Sequence, residues 1–467
     1  MNDLQITSPQ RTRYRLQLLF LPVVVIAASA MLCTPATLIA QSAHKTDDTH
    51  KPKVQWTQFR GTGNGHADPT AHPPVKWDAD QIAWETEIPG TGWSSPVYQG
   101  KRAWLTSAIT TKLSEEEIAE KVGDPKAGGG KTVAGSLALL AICIDLETGE
   151  LIHNLTLDKV DDPQPINPLN SYASPTPAIA DGKVICHFGT YGTWCLDVET
   201  GEKIWDTKFP VQHGVGPGSS PIICDNKVII TSDGTDLQYV AAADLETGEE
   251  AWKTDRPPFR TESGDHRKAY STPLAIEVDG ATQLVIPGAQ WIVSYDPADG
   301  KELWRVDHGN GFSTIPMAVF EDDLVICPSG YPLLEFIAVN PKGSGDVTKT
   351  NVVWRKKSAP GMPCYLASEG NIYAVSNKGV LFCLDAKTGE ELKRIRVGGN
   401  FSASPLLAGG NLYLGNREGK MTVVECSPKL EKLGTHDFEE SIMASPIVVG
   451  DDLLIRTEKK LIRIKAE

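Results

Sequence analysis

Long, clean hydrophobic runs are missing from this sequence. The main apolar stretch, Leu16 to Leu32, is broken by Pro22 and Ser29 and followed by Thr34-Pro35. It falls short of the roughly 20 uninterrupted apolar residues a spanning helix prefers. Excess positive charge is missing too: 45 Lys and Arg stand against 59 Asp and Glu, for a formal net charge of -14. Such a surface repels a phosphate backbone, which argues against nucleic acid as a partner. No two of the nine cysteines are adjacent, and no Cys-x-x-Cys-His run occurs. A c-type haem attachment is therefore excluded. No Cys/His cluster has zinc-ligand spacing. Gly128-Gly-Gly-Lys-Thr132 fails as a phosphate loop, because the motif needs glycine where Pro125 stands.

Turn formers are plentiful instead, with 42 Gly and 32 Pro, favouring many short strands over long helices. Arg11, Arg13 and Arg15 precede the apolar stretch, and small and polar residues follow it up to Ala40-Gln41. This is the layout of a secretory signal, residues 1–40, with cleavage after Ala40. An uncleaved anchor is the competing reading. Cys33 would suit lipid attachment, but Leu32 sits where a small residue is expected. Either way the chain is expected to be exported, to the periplasm or cell envelope. Residues 41–53 read as a polar, disordered linker.

A phrase then recurs: Asp145-Leu-Glu-Thr-Gly149, Asp197-Val-Glu-Thr-Gly201, Asp244-Leu-Glu-Thr-Gly248, Asp296-Pro-Ala-Asp-Gly300 and Asp385-Ala-Lys-Thr-Gly389, with Asn340-Pro-Lys-Gly343 as a looser copy. A strand follows, often with Trp: Trp205, Trp252, Trp304, Trp354. Asp bonding back to the backbone and Gly supplying positive φ make each phrase a hairpin turn. Upstream lies a second phrase, as in Ser94-Ser95-Pro96, Ala173-Ser174-Pro175, Ser219-Ser220-Pro221, Ser271-Thr272-Pro273, Ala403-Ser404-Pro405 and Ala444-Ser445-Pro446, with Thr314-Ile315-Pro316 and Gly361-Met362-Pro363 degenerate. Proline and small residues suit a crowded strand whose inner edge is unpaired.

A unit of four strands, repeating every 40 to 50 residues or so, is a propeller blade. The expected fold is all-β: an eight-bladed β-propeller of four-stranded antiparallel blades over residues 54–467. The last blade, from Ser441, has three strands. The N-terminal strand Ile82–Ile88, with Trp84 in the repeat's Trp slot, joins it and closes the ring, which removes an exposed edge. Residues 106–136 form an insertion in the first blade. Ser114 and Glu117 make a capping box for a short helix there. Such an insertion is either a binding element or a tolerated surface loop.

The Asp-x-x-Thr-Gly-x-x-x-Trp turn resembles the tryptophan-docking repeat of the pyrroloquinoline-quinone-like propeller superfamily, from Trp56 to the C-terminus. That superfamily includes quinoprotein dehydrogenases and the non-enzymatic propeller lipoprotein of the outer-membrane β-barrel assembly machine. The opening Trp56-Thr-Gln-Phe59-Arg60-Gly61 resembles exported propellers grouped with the latter. The resemblance implies one of two functions. The first is a non-catalytic scaffold, a monomer near the membrane, binding an envelope protein or peptide and needing no cofactor. The alternative is an oxidoreductase holding pyrroloquinoline quinone with calcium, and the missing Cys-Cys pair counts against its best-known arrangement. A carbohydrate-binding module is a third reading, suggested by mouth aromatics alone.

Candidate binding residues gather where loops enter the inner strands: Trp93, Tyr172, His213, Phe312, Tyr365, Phe401 and Met443. The loop Pro257–Ala269 adds Arg260, Glu262, Asp265, His266 and Arg267. Aromatics with Arg and His at a concave rim suit a peptide or small ligand; plugging of the channel is the competing reading. No catalytic residues and no metal ligands are assigned. Cys143, Cys195 and Cys383 share one slot, two residues before the turn Asp, which marks core packing. Cys186 and Cys195 face each other across two strands as a possible disulfide.

Overall fold

The structure is a computed structural model and describes residues 56–122 and 130–466. The signal and linker, residues 1–53, lie outside the described residues. Eight antiparallel sheets form a ring, numbered here as blades 1 to 8 from Val97 onward. In each blade the inner strand runs away from one face, the loop face, and the second strand returns to it. The third and outer strands repeat that path. The Asp-x-x-Thr-Gly turns therefore lie on the opposite face, while the loops into each inner strand and between second and third strands gather on the loop face.

Blade 8 is closed by the N-terminal strand Ile82–Glu87, paired antiparallel with Lys460–Ile464. Blade 4 departs from four strands: Gly345–Asp346 pairs parallel with Trp304 and Arg305 outside the outer strand. In blade 1 the second strand runs Arg102–Thr110 and the third Ser136–Asp145, with a helix, α1 (Glu115–Val122), between them. The Ser114 N–H donates to Glu117 Oε2 at 2.7 Å, and the Glu117 N–H returns to Ser114 Oγ at 3.3 Å. No helix among the described residues is long and apolar enough to cross a membrane.

The turns explain the repeated phrase. Asp145 Oδ1 accepts the N–H groups of Glu147 at 2.8 Å and Thr148 at 3.0 Å. The Thr148 N–H above all holds this carboxyl below the usual range. Glycine closes the turn because the preceding blade's tryptophan lies on it. Trp205 Nε1 donates to Leu245 O at 3.0 Å. A Cβ at Gly248, where φ is +74°, would stand 2.6 Å from the Trp205 ring. Trp84, Trp252 and Trp354 dock the same way on Leu146, Pro297 and Ala386, each at 3.0 Å.

Two of the other four interfaces solve the problem differently. Blade 1 carries His153 in the tryptophan slot, opposite Cys143. Trp104, from its second strand, stacks on that ring and donates to Val198 O of blade 2 at 3.1 Å. Trp304 faces the looser Asn340–Gly343 turn, where Gly343 has φ +147°. Its Nε1 turns instead to Gln283 Oε1 within its own blade, at 2.8 Å.

The cysteine pair requires a correction. The register sets Ile185 opposite Cys195 and Cys186 opposite Trp194. One residue of offset puts the two thiols on opposite sheet faces, and they pack in separate cores. Both are free. The upstream phrase also sits differently from the sequence reading in three blades. The residue two positions before the inner strand begins, where Ser95 stands in blade 1, is Thr176 in blade 2, Met317 in blade 5 and Cys364 in blade 6, each two positions later than the phrase suggests.

Candidate functional site

Once that register is set, the channel wall resolves into two stacked rings, one residue per blade. The lower ring is Ser95, Thr176, Ser220, Thr272, Met317, Cys364, Ser404 and Ser445. It is laced by hydrogen bonds from blade to blade. The N–H of Ser95 donates to Thr176 Oγ1, Thr176 to Ser220 Oγ, and Ser220 to Thr272 Oγ1, at 2.9 to 3.0 Å. Across the ring Met317 donates to Cys364 Sγ at 3.4 Å, Cys364 to Ser404 Oγ at 3.0 Å, and Ser404 to Ser445 Oγ at 2.9 Å. Met317 brings no hydroxyl or thiol, only a weakly accepting thioether, and Ser95 Oγ is buried without a partner, so the circle is open at two points. Each accepting hydroxyl still has its own O–H to donate. This explains the recurrent Ser and Thr: they join blades where strands are too crowded for larger side chains.

The upper ring lies two residues earlier in every blade: Trp93, Ser174, Gly218, Tyr270, Ile315, Met362, Ser402 and Met443. All eight line one cavity of about 390 Å³, which also reaches Asn167, Leu169, Asn170 and Val215 in the loops above. A step of two keeps a side chain on the same side of an extended chain, which is why both rings face inward.

The floor is the segment after Trp56. It runs across the channel on the unpaired edges of the inner strands. Tyr98 N–H donates to Trp56 O at 2.8 Å, Ile179 N–H to Thr57 O at 2.6 Å, and Leu407 N–H to Gly65 O at 2.9 Å. Arg60, 2% exposed, donates from Nη2 to Tyr365 O at 2.7 Å. Between these anchors Phe59 reaches into the cavity. The channel is thus floored at one end and open on the loop face.

The structure sorts the candidate residues. Trp93 and Met443 line the cavity, and Trp93 Nε1 is a buried donor without a partner. Phe312 and His266 meet each other on the loop face, ring centroids 4.5 Å apart, with Tyr331 edge-on to Phe312 at 5.7 Å. Tyr331 is 60% exposed and Leu333 39%, an apolar patch absent from the sequence reading. Arg260 pairs with Asp307 at 2.7 Å and lies over the Trp291 ring. Arg267 pairs with Glu262 at 2.8 Å, and Asp265 with Lys268. These charges neutralise one another outside the channel.

Four candidates are packing groups instead. Tyr365 is fully buried and donates to Ile326 O at 2.9 Å. Phe401 is fully buried between blades 6 and 7. Tyr172 is buried, donating to Gln164 O at 3.0 Å. His213 accepts the Thr190 N–H at Nε2, 2.9 Å, inside the wall between blades 2 and 3. Burial, the largest influence, lowers its pKa to about 4.

A quinone dehydrogenase site does not fit this lining. Pyrroloquinoline quinone carries three carboxylates and works with a divalent cation, which needs carboxylate oxygens. None of the residues lining the cavity is Asp, Glu, Lys, Arg or His. Among the described residues, no group of three or more His, Cys, Asp or Glu is placed to hold a metal ion.

The fold and the docked tryptophans define an eight-bladed propeller of the pyrroloquinoline-quinone-like class. A family profile described as outer membrane protein assembly factor BamB matches residues 98–254 and 288–433, more than half of the sequence, and the chain belongs to that family. The BamB of Legionella pneumophila (strain Paris) is 24% identical over 202 residues, 42% of this chain and 50% of that protein. The chain thus spans about half the length of the curated relative it matches. Among solved structures, BamB from Moraxella catarrhalis superposes with a TM-score of 0.56 at 11% identity, covering 82% of this chain and 97% of that one. Quinohemoprotein alcohol dehydrogenase from Comamonas testosteroni superposes with a TM-score of 0.62 at 12% identity, covering 89% and 81%. Both likenesses are of fold.

Proposed function

We propose that this protein is an exported, non-catalytic propeller scaffold that binds protein or peptide partners on its loop face, in outer-membrane protein assembly within the cell envelope. The observation that carries this reading is the lining of the channel: apolar, hydroxyl and amide groups, with no charged side chain. Such a site suits apolar and backbone groups of a polypeptide and offers a polyanionic cofactor no counter-charge. Membership of the BamB family supports the assembly role. Residues 1–40 act as the export signal and 41–53 as a linker, and the protein works as a monomer without a cofactor.

Titration of the purified mature protein with pyrroloquinoline quinone and calcium chloride separates this reading from the dehydrogenase. Calorimetry is expected to show no heat of binding up to high micromolar quinone, and the quinone absorption spectrum is expected to stay that of the free molecule. Stoichiometric binding with a shifted spectrum would replace the scaffold with a redox enzyme.

A further inference from the structure

The channel has a chemistry narrower than the loop face around it. Its upper ring combines long flexible groups, Met362 and Met443, with small ones, Gly218 and Ser402. Methionine repacks around apolar groups of different shape. Below them the hydroxyls of Thr176, Ser220 and Ser404 each accept one backbone N–H and keep an O–H to donate. The volume, about 390 Å³, holds one large side chain with its flanking peptide groups. A carboxylate or ammonium brought there would be stripped of water with nothing of opposite charge to meet it.

We infer that the floored channel is an anchor pocket for a single uncharged aromatic or long aliphatic side chain of an extended polypeptide. The flanking peptide carbonyls accept from the ring hydroxyls. The rest of the segment runs outward over Leu169, which is 41% exposed at the mouth. Selection is by charge and apolar bulk, not by sequence, because no side chain in the pocket is arranged to read a particular residue. This inference rests on the scaffold reading and adds the chemistry of what is bound.

The test uses a short serine- and glycine-flanked peptide carrying p-benzoylphenylalanine at its centre, irradiated with the full mature protein. Adducts are expected at Met362 and Met443. The same peptide with phenylalanine at its centre is expected to suppress them at least tenfold more effectively than the glutamate version. Met443→Glu and the channel-filling Ser402→Trp are both expected to abolish them while circular dichroism stays that of the parent. Adducts elsewhere, or equal competition by the glutamate peptide, would overturn the pocket. A parallel measurement follows binding of a urea-unfolded outer-membrane β-barrel protein diluted into each variant. Equal binding by the parent and Ser402→Trp would reject the channel anchor and leave the scaffold intact, whereas no binding by either would reject the scaffold itself.

Discussion

Lowering the pH from 7 to 5 is expected to remove several kcal/mol of folding stability, with the midpoint of thermal unfolding dropping steeply below pH 6.5. Four histidines are responsible. Burial lowers the pKa of His66, His213 and His308 to about 4 and that of His187 to about 3, against an ordinary value of 6.5. Arg60 adds to the lowering at His66. Geometry agrees: His213 Nε2 is an acceptor for the Thr190 N–H, a role imidazolium cannot fill. Each folded pKa lies below the free-chain value, so the unfolded chain takes up protons first as pH falls. The contribution is complete above pH 6.5 and is lost progressively down to the folded values near 4. At pH 5 each histidine then costs about 1–2 kcal/mol, and four such losses rival the roughly 5–15 kcal/mol that holds a typical domain together. Scanning calorimetry from pH 8 to 4.5 checks this. His213→Gln, which keeps an acceptor for Thr190, is expected to flatten the slope by about a quarter. A midpoint unchanged between pH 7 and 5 would contradict the account.

Arg256→Met is expected to cost about 3–5 kcal/mol, the effect of stranding a buried charge. Arg256 Nε lies 2.9 Å from Asp233 Oδ1 and Nη2 2.7 Å from Oδ2, with both side chains almost wholly buried. Burial works against the guanidinium, but the carboxylate beside it wins and its pKa is raised. Burial also pushes the Asp233 carboxyl up, with Arg256 pulling it back. The bidentate contact keeps both groups ionised. Arg256 Nη1 reaches Ile286 O of blade 4 at 3.2 Å, so the pair ties blade 3 to blade 4. The double variant Asp233→Leu with Arg256→Met is expected to recover most of the loss, since an apolar pair leaves no lone charge. Chemical denaturation of the three variants decides it. A double variant as unstable as Arg256→Met would show that the charge is not what matters.

Much of the fold was legible because the repeat obeys local rules that tertiary packing did not override. The Asp-x-x-Thr-Gly turns, the closing strand around Trp84 and the Ser114 capping box are all where those rules put them. The channel was harder to read, and parity explains why. Reading the inner-strand phrase two residues early in blades 2, 5 and 6 left Ser174, Ile315 and Met362 facing inward, only one ring higher. An odd step reverses the side chain: Tyr365 follows Cys364 of the lower ring by one and points into the blade core. Phe401 precedes Ser404 by three and does the same. An aromatic near an inner strand is therefore a channel residue only at an even distance from the ring, as Trp93 and Tyr270 are. Phe59 was out of reach, because nothing local shows that the segment after Trp56 crosses the channel on strand edges contributed by distant blades. Cys186 and Cys195 failed on the same parity, since a one-residue offset separates faces.

The central claim, that the loop face is where partners bind, is tested most directly by placing a photo-crosslinking amino acid at Leu169, at Tyr331 and, on the opposite face, at Glu246, and irradiating intact cells. The account predicts adducts with envelope proteins, identified by mass spectrometry, from Leu169 and Tyr331 and not from Glu246. Adducts from Glu246 alone, or from all three positions equally, would contradict it.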